Sequence, residues 1–561
     1  MSRFPSALAL GLAAAALASC SKSGLQTVPP PTADTSSAKP LPEVALETEA
    51  HAYDSITVTG SRIERSQFHS PSPVTVVGGG YLHPHHVNRD RFTTVAQNGF
   101  QAAAETPVST FSIDVDTASY SFVRASLNQQ LLPQQAAVRT EEMVNYFPYD
   151  YAPPRSANQP FSSDIAVFPS PWTEGRKLVR IGIKGYQIER EQRPRANLVF
   201  LIDTSGSMNA PNRLPLVQQS LSLLLDQLRP DDKVAIVAYA GSAGTVLEPT
   251  PASQRDTIKA AIDRLGAGGS THGSEGIRQA YALATRNFDP RSVNRVILAT
   301  DGDFNVGITE PEALKDFVER EREKGILLSV LGYGMGNYND ALMQTLAQNG
   351  NGAAAYIDTI AEARKTLVEE ATSTLFPIAK DVKIQVEFNP ATVAEYRLIG
   401  YETRMLARED FENDKVDAGE VGSGQSVTAL YEIVPVGGAR AVGDLRYGAP
   451  GAKSRRVSDA ASEYGFVKIR YKLPRSDRSR LISTPIDRRG EVRRFADAPR
   501  DARFAAGVAA FAELLRGGKY TGSLRYDDVL GIVTDARGED PFGYRAELIE
   551  LIRAASTARA G

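Results

Sequence analysis

The stretch FLIDTSGSMNAPNRLPL, residues 200 to 216, breaks a run of apolar residues with an aspartate, two serines and a glycine. Asp203, Ser205 and Ser207 alternate, so a tight turn can aim three oxygens at one point, and Gly206 lets the backbone curl around that point. Converging hard oxygens suit a divalent cation: Mg²⁺ first, with Ca²⁺ or Mn²⁺ as the other candidates. Taken alone, Asp-x-Ser-x-Ser is also the composition of an ordinary polar turn. Two more donors change that reading: Thr271, within GAGGSTHGSEG (266 to 276), and Asp301, which follows the apolar run NRVILAT. Neutral hydroxyl ligands quench little of a cation's charge and leave it able to bind an external carboxylate, which a cage of acids would repel. The candidate metal ligands are therefore Asp203, Ser205, Ser207, Thr271 and Asp301. Asp303 reads as a supporting or turn residue and His272 as a rim residue.

These donors need rigid elements to bring them together. NLVFLID, KVAIVAY, NRVILAT and ILLSVLG are short continuous apolar runs separated by helical stretches, the pattern of a parallel sheet covered on both faces. In such sheets ligands sit outside the carboxyl ends of the strands, where Asp203 and Asp301 both fall. The helix after the first loop begins near Pro215 and carries Leu214, Val217, Leu221, Leu224, Leu225 and Leu228 at helical spacing. The predicted fold class is α/β, a doubly wound, mostly parallel sheet, with flanking β-rich and α-helical regions. Before it, FSIDVDTASYSFVRASLNQ reads as a strand and then a helix, and EEMVNYFPYDY closes a second helix. LVRIGIK (178 to 184), VKIQVEF (382 to 388) and VKIRYKL (467 to 473) alternate apolar with charged or polar residues, which predicts strands with one core face and one wet face. ARFAAGVAAFAELLRG and YRAELIELIRAA read as two C-terminal helices, the first with Phe504, Val508, Phe511 and Leu515 on one face.

Asp203-x-Ser205-x-Ser207, then Thr271, then Asp301, resembles the metal-ion-dependent adhesion site of von Willebrand factor type A domains, with all five motif positions filled. The resemblance implies that the serine and threonine hydroxyls contact the metal, that the aspartates act directly or through water, and that one coordination position is left for a partner's carboxylate. DTSGSMNAPNRLPL, LRPDDKVAIVAYAGSAGTVLEPT, LGAGGSTHGSEGI, ATDGDFNVG and LGYGMGNYND are similar to the bacterial anchored or secreted type A proteins that carry their own flanking regions. That likeness covers roughly residues 100 to 560. Relatives of this kind are sometimes labelled calcium-activated chloride channel homologues, a label at odds with a chain that offers no second segment of the roughly 18 apolar residues a spanning helix needs. Type A domains have neighbouring termini and can sit inside another domain. The alternating strands before and after then either share one sandwich or belong to separate domains, and both fit the sequence.

The chain has 561 residues, 42% of them hydrophobic, enough for several cores, and a formal charge of −3, which gives no basic field for nucleic acid. Its one cysteine, Cys20, closes MSRFPSALALGLAAAALASC, in which Arg3 heads an apolar segment and Leu17 to Cys20 resemble a bacterial lipobox. Lipidation at Cys20 is expected, and Ser21 after it suggests sorting to the outer membrane, with the domain facing the periplasm or the surface. The expected organisation is a signal peptide (1–19), a lipidated disordered tether rich in Pro, Ser and Thr (20–100), an N-terminal flank (101–192), the type A domain (193–375) and a C-terminal region of strands then helices (376–561). His83, His85 and His86 have a spacing that could catch a transition metal, but no Cys or carboxylate completes a cage, and a solvated tail is the simpler reading. YDSITVTGSRIERSQFHSPSPVTVV (53 to 77) resembles the N-terminus of TonB-dependent receptors, which implies strand addition by Asp54 to Val58 to an energy-transducing partner; an ordinary tether explains it as well.

Catalytic signatures are sparse: there is no nucleophile elbow, no Lys-bearing phosphate loop and no His-Glu-x-x-His. A metal-assisted hydrolase would need a base, for which His272 is the neutral-pH candidate. The expected function is a non-enzymatic, metal-dependent protein-binding module that captures an acidic side chain of a protein partner, held to the membrane by its lipid alone. The alternatives are the hydrolase and a scaffold for TonB-type transport machinery.

Overall fold

The computed structural model describes residues 90–558 apart from 114–115, 190, 270–272, 303–310, 337, 417 and 444–461. The leader, Cys20, the three tether histidines and Asp54 to Val58 lie outside the described residues. Among the described residues, four strands precede the central domain: β1 (Gln101–Ala102), β2 (Val108–Ser112), β3 (Phe161–Pro169) and β4 (Lys177–Gly185). The central domain contributes β5 (Ala196–Asp203), β6 (Lys233–Tyr239), β7 (Ala243–Pro251), β8 (Val293–Thr300), β9 (Ile326–Tyr333) and β10 (Ala354–Ile357). After it come β11 (Pro377–Phe388), β12 (Val393–Ile399), β13 (Gly419–Gly422), β14 (Ser426–Pro435), β15 (Glu463–Lys472) and β16 (Ser479–Asp487).

The central sheet has the order β10-β9-β8-β5-β6-β7, parallel except for β7, which runs antiparallel on β6. All eight residues of β5 are buried because both faces are covered. Leu198, Phe200 and Ile202 share a core with Val217, Leu221 and Leu224 of the helix Leu214–Leu225. Val199 and Leu201 face Ile277 and Tyr281 of the helix Gly273–Arg286. The fold is thus α/β and doubly wound, as the continuous apolar runs predict.

The strands on either side of this domain lie in the same two antiparallel sheets. One sheet has the order β1-β12-β14-β4-β3; the other runs β13-β11-β15-β16, with β2 also paired to β11. Of the two arrangements the sequence allows, the shared sandwich is the one present, and the central domain sits between β4 and β11 as an insertion. Val179, Ile181 and Ile183 from before the insertion meet Val382, Ile384, Val386 and Val467 from after it in one core.

Three expectations change. The outer face of β4 is not wet: helices Ala118–Asn128 and Thr140–Asn145 pack with Arg500–Leu515, Tyr526–Ala536 and Tyr544–Thr557 into a cap over that sheet, and Leu178 joins their core. Arg180 is therefore buried, stacked 4.9 Å from the Tyr151 ring and paired with Asp164. On β11, Lys383 is buried too, donating to the Asn413 carbonyl at 2.6 Å and pairing with Asp381 at 3.2 Å. Among the described residues the C-terminal part has three α-helices, not two; Gly531 interrupts the short segment Tyr526–Ala536, whose Val529, Val533 and Ala536 nonetheless bury one face. Finally, the tether ends before residue 100. Asp90 accepts from the backbone N–H of Gly336 and Tyr338 at 3.0 and 2.7 Å, and Phe92 packs edge-on against Phe122 at 4.5 Å, so these residues are fastened to the folded part.

Candidate metal centre

The topological switch of the central sheet lies between β5 and β8: from β5 the chain crosses to β6 on one side, and from β8 to β9 on the other. The loops leaving those two strands diverge and open a crevice between them. Asp203 is the last residue of β5, and Asp301 follows the last residue of β8. Hydrophobic strands thus fix both carboxylates at one crevice although they are far apart in the chain.

The loop after β5 curls as a 3-10 turn, Gly206–Asn209. The sequence assigns that curl to Gly206, but its φ is not positive, and a Cβ there would sit at ordinary contact, 3.5 Å from the Gly269 carbonyl. The curl comes from hydrogen bonding. Asp203 Oδ1 accepts from the Ser205 N–H at 2.9 Å, and Asp203 Oδ2 accepts from the Thr300 hydroxyl at 3.2 Å and the Tyr239 hydroxyl at 3.3 Å. Burial, with the charge of Asp203 adding to it, holds the Tyr239 phenol well above its ordinary pKa, so Tyr239 is the donor in that bond. Burial also pushes Asp203 up to about 6, opposed by its bonds to Ser205 and reinforced by the charge of Asp301. A cation beside Asp203 favours its ionised form.

Ser205 is buried and Ser207 exposed, and their hydroxyl oxygens stand 3.0 Å apart. In an octahedral shell with metal–oxygen distances of about 2.1 Å, adjacent ligand oxygens are separated by about 3.0 Å, so the two hydroxyls are spaced as one edge of such a shell. The second loop is tied to the first by two backbone bonds, Gly268 N–H to the Thr204 carbonyl at 2.8 Å and Gly206 N–H to the Gly269 carbonyl at 3.0 Å. Thr271, two residues beyond Gly269, lies outside the described residues, as do His272 and Asp303. The structure therefore brings together Asp203, Ser205, Ser207 and Asp301, and the residues present fit a hard divalent cation by donor chemistry and spacing.

Arg213 is the functional residue that sequence reasoning missed. Its Nη1 donates to Asp301 Oδ2 and to the Ser207 carbonyl, both at 2.7 Å, and its Nη2 donates to the Met335 carbonyl at 3.2 Å. It lies so close over Gly334 that a Cβ on that glycine would fall 2.4 Å from Arg213 Nε. A signal was available: Arg213 is the N-cap of the helix Leu214–Leu225, where the helix dipole disfavours a cation unless an acid is near. Thr300 and Tyr239, polar residues that follow the apolar stretches Val296–Ala299 and Val234–Ala238 at the same sheet end, carried a similar signal.

Comparison with known proteins agrees with this architecture. The family model described as von Willebrand factor type A domain matches residues 197–370, one described as von Willebrand factor matches 86–180, and one described as the C-terminal part of the uncharacterized protein YfbK matches 373–558. The uncharacterized protein YfbK of Escherichia coli (strain K12) is 46% identical over 472 residues, spanning 83% of this chain and 81% of that one. Inter-alpha-trypsin inhibitor heavy chain H3 of Mesocricetus auratus is 26% identical over 254 residues, 42% of this chain and 28% of that one. Among solved structures, a von Willebrand factor type A protein from Catenulispora acidiphila aligns over 72% of this chain and 91% of its own, with 15% identity and a TM-score of 0.41. Type A domains typically mediate protein interactions that depend on a metal, and they commonly bind a divalent cation at this motif.

Proposed function

The chain belongs to the family of the YfbK protein, with a von Willebrand factor type A domain at its centre, and from that premise we propose that it is a lipid-anchored module that captures an acidic protein partner through a divalent cation. The observation that carries the reading is the pair of hydroxyls, Ser205 and Ser207, held 3.0 Å apart at the switch crevice beside Asp203 and Asp301. Ser205, Ser207 and Thr271 would hold the ion, and Asp203 and Asp301 would set its charge balance. The bound ion would supply a positive centre with a position open to an outside carboxylate. Asp203 does its part by fastening the loop through the Ser205 N–H, while Tyr239 and Thr300 fasten Asp203 in turn. The exposure of Ser207 fits a partner arriving from solvent. In this reading the site binds and does not turn over substrate.

Metal and partner are then linked. Affinity capture from detergent-solubilised envelopes with Mg²⁺ present should retain a partner that EDTA releases. Ser207→Ala, at an exposed position, should weaken capture about tenfold without unfolding the chain. Capture that persists in EDTA and in Ser207→Ala would move the interaction to the sandwich. Turnover of a small substrate that depends on metal and on His272, with no partner present, would support the hydrolase instead.

The anchor belongs to the same proposal. Cys20 carries the lipid and holds the protein at the outer membrane, the tether giving the binding domain its reach. Cys20→Ala should give an unprocessed precursor that takes up no labelled fatty acid; equal labelling of variant and wild type would remove the anchor from the proposal.

A further inference from the structure

Arg295 is the third residue of β8, near the end of the strand farthest from Asp301. At that end the central domain meets the sandwich across a cavity of about 760 Å³, lined by Arg295 and Ser329 from the central sheet and by Lys184, Glu420 and Ser426 from the sandwich. Arg295 is only 2% exposed. Its Nη1 donates to the Ser329 hydroxyl at 2.6 Å, and its Nε is buried without a hydrogen-bond partner. No carboxylate among the described residues stands within ion-pair distance of it; Glu420 acts on it from farther away and accepts a hydrogen bond from Asn351 at 3.2 Å. Burial accordingly pushes the guanidinium down to about 10, an unusual displacement for arginine.

Two acids that line the same cavity are engaged elsewhere: Asp116 pairs with Arg404 at 2.9 Å, and Glu370 with Lys365. A buried charge without a partner is costly, and a guanidinium with an unused donor is shaped to receive oxyanion oxygens. We propose that this cavity binds a small oxyanion, anchored by Arg295. This inference does not rest on the metal site, which occupies the other end of the sheet.

The test uses the full chain, treated with EDTA and then dialysed so that no cation at the other site binds the probe. Thermal unfolding is followed in phosphate, sulfate or malonate against sodium chloride of matched ionic strength. At least one oxyanion should raise the midpoint by on the order of 3 °C. The rise should saturate below about 10 mM, unlike the general exclusion effect of such salts. Arg295→Gln should abolish the rise, and Arg295→Lys, which keeps the charge but loses the planar fork of donors, should weaken the apparent affinity at least roughly fivefold. A response to phosphate and sulfate alone assigns a tetrahedral anion; a response to malonate alone assigns a carboxylate. Equal midpoints in all salts, or a rise unchanged in both variants, would overturn the proposal. If Arg295→Gln fails to fold, the wild-type salt series and Arg295→Lys decide the matter by themselves.

Discussion

Arg213 makes the candidate metal site an electrostatic balance even without a cation. Asp301 is fully buried, and the Arg213 guanidinium faces it at 2.7 Å. Removing one partner of a buried pair leaves charge behind in a poor solvent, so Arg213→Gln should destabilise the metal-free chain by about 3 kcal/mol. Saturating Mg²⁺ should recover part of that loss, because a bound cation takes over the neutralisation of Asp301 and stabilises the native state by mass action. The measurement is the difference in unfolding midpoint between wild type and variant, taken in EDTA and again in Mg²⁺. A gap that stays the same in both would mean that Arg213 acts only as a loop fastener through the Ser207 and Met335 carbonyls.

The helix Thr140–Asn145 brings an acid into the cap in an unusual state. Glu141 lies in its first turn, where the helix dipole ordinarily favours a carboxylate. Burial outweighs that: one Glu141 carboxyl oxygen has no hydrogen-bond partner, and the backbone of Gly400, left-handed at φ +78°, presses so close that a Cβ there would fall 2.7 Å from it. Burial first, then the charges of Glu402 and Glu142, raise its pKa from the ordinary 4.5 to about 7. The folded state therefore binds this proton more tightly than the unfolded state. The stabilisation is fully present below about 4.5 and is lost as pH rises through about 7. Glu141→Gln should consequently match the wild type near pH 4.5 and exceed it in stability at pH 8, by on the order of 1–3 kcal/mol. Denaturant unfolding at the two pH values checks it, and a variant less stable than wild type at pH 8 would show that the ionised carboxylate is stabilising in place.

For the whole molecule, the insertion of the central domain into the sandwich makes the two ends of the chain interdependent. β4 pairs with β14 over Lys177–Lys184, and β2 pairs with β11 over Val108–Ser112. A chain ending at residue 375 keeps β2, β3 and β4 but deletes β11 and β14, the partners of β2 and β4, exposing Val179, Ile181 and Ile183 and leaving open strand edges. It should aggregate, and co-expression of residues 376–561 should restore a soluble complex. Size-exclusion chromatography distinguishes the outcomes: a monodisperse fragment alone would mean that the N-terminal strands are stable without the sandwich.

What the sequence determined by itself was local and periodic. Largely apolar runs marked β5, β6, β8 and β9, because a strand covered on both faces buries most of its side chains. The oxygen-rich turn was legible because Asp203, Ser205 and Ser207 are close in sequence and end such a strand. What tertiary structure alone decided was pairing over long separations. Nothing in the alternation of LVRIGIK or VKIQVEF states that β2 joins β11 across the inserted domain, or that helices from both ends of the chain cover Arg180. A charged residue on an alternating strand looks solvent-facing until another layer buries it, and a basic N-cap looks unfavourable until Asp301, 88 positions away, is folded against it. Hydrophobic period is fixed by the chain's own geometry, whereas the neighbour that pairs a charge is fixed only when distant segments meet.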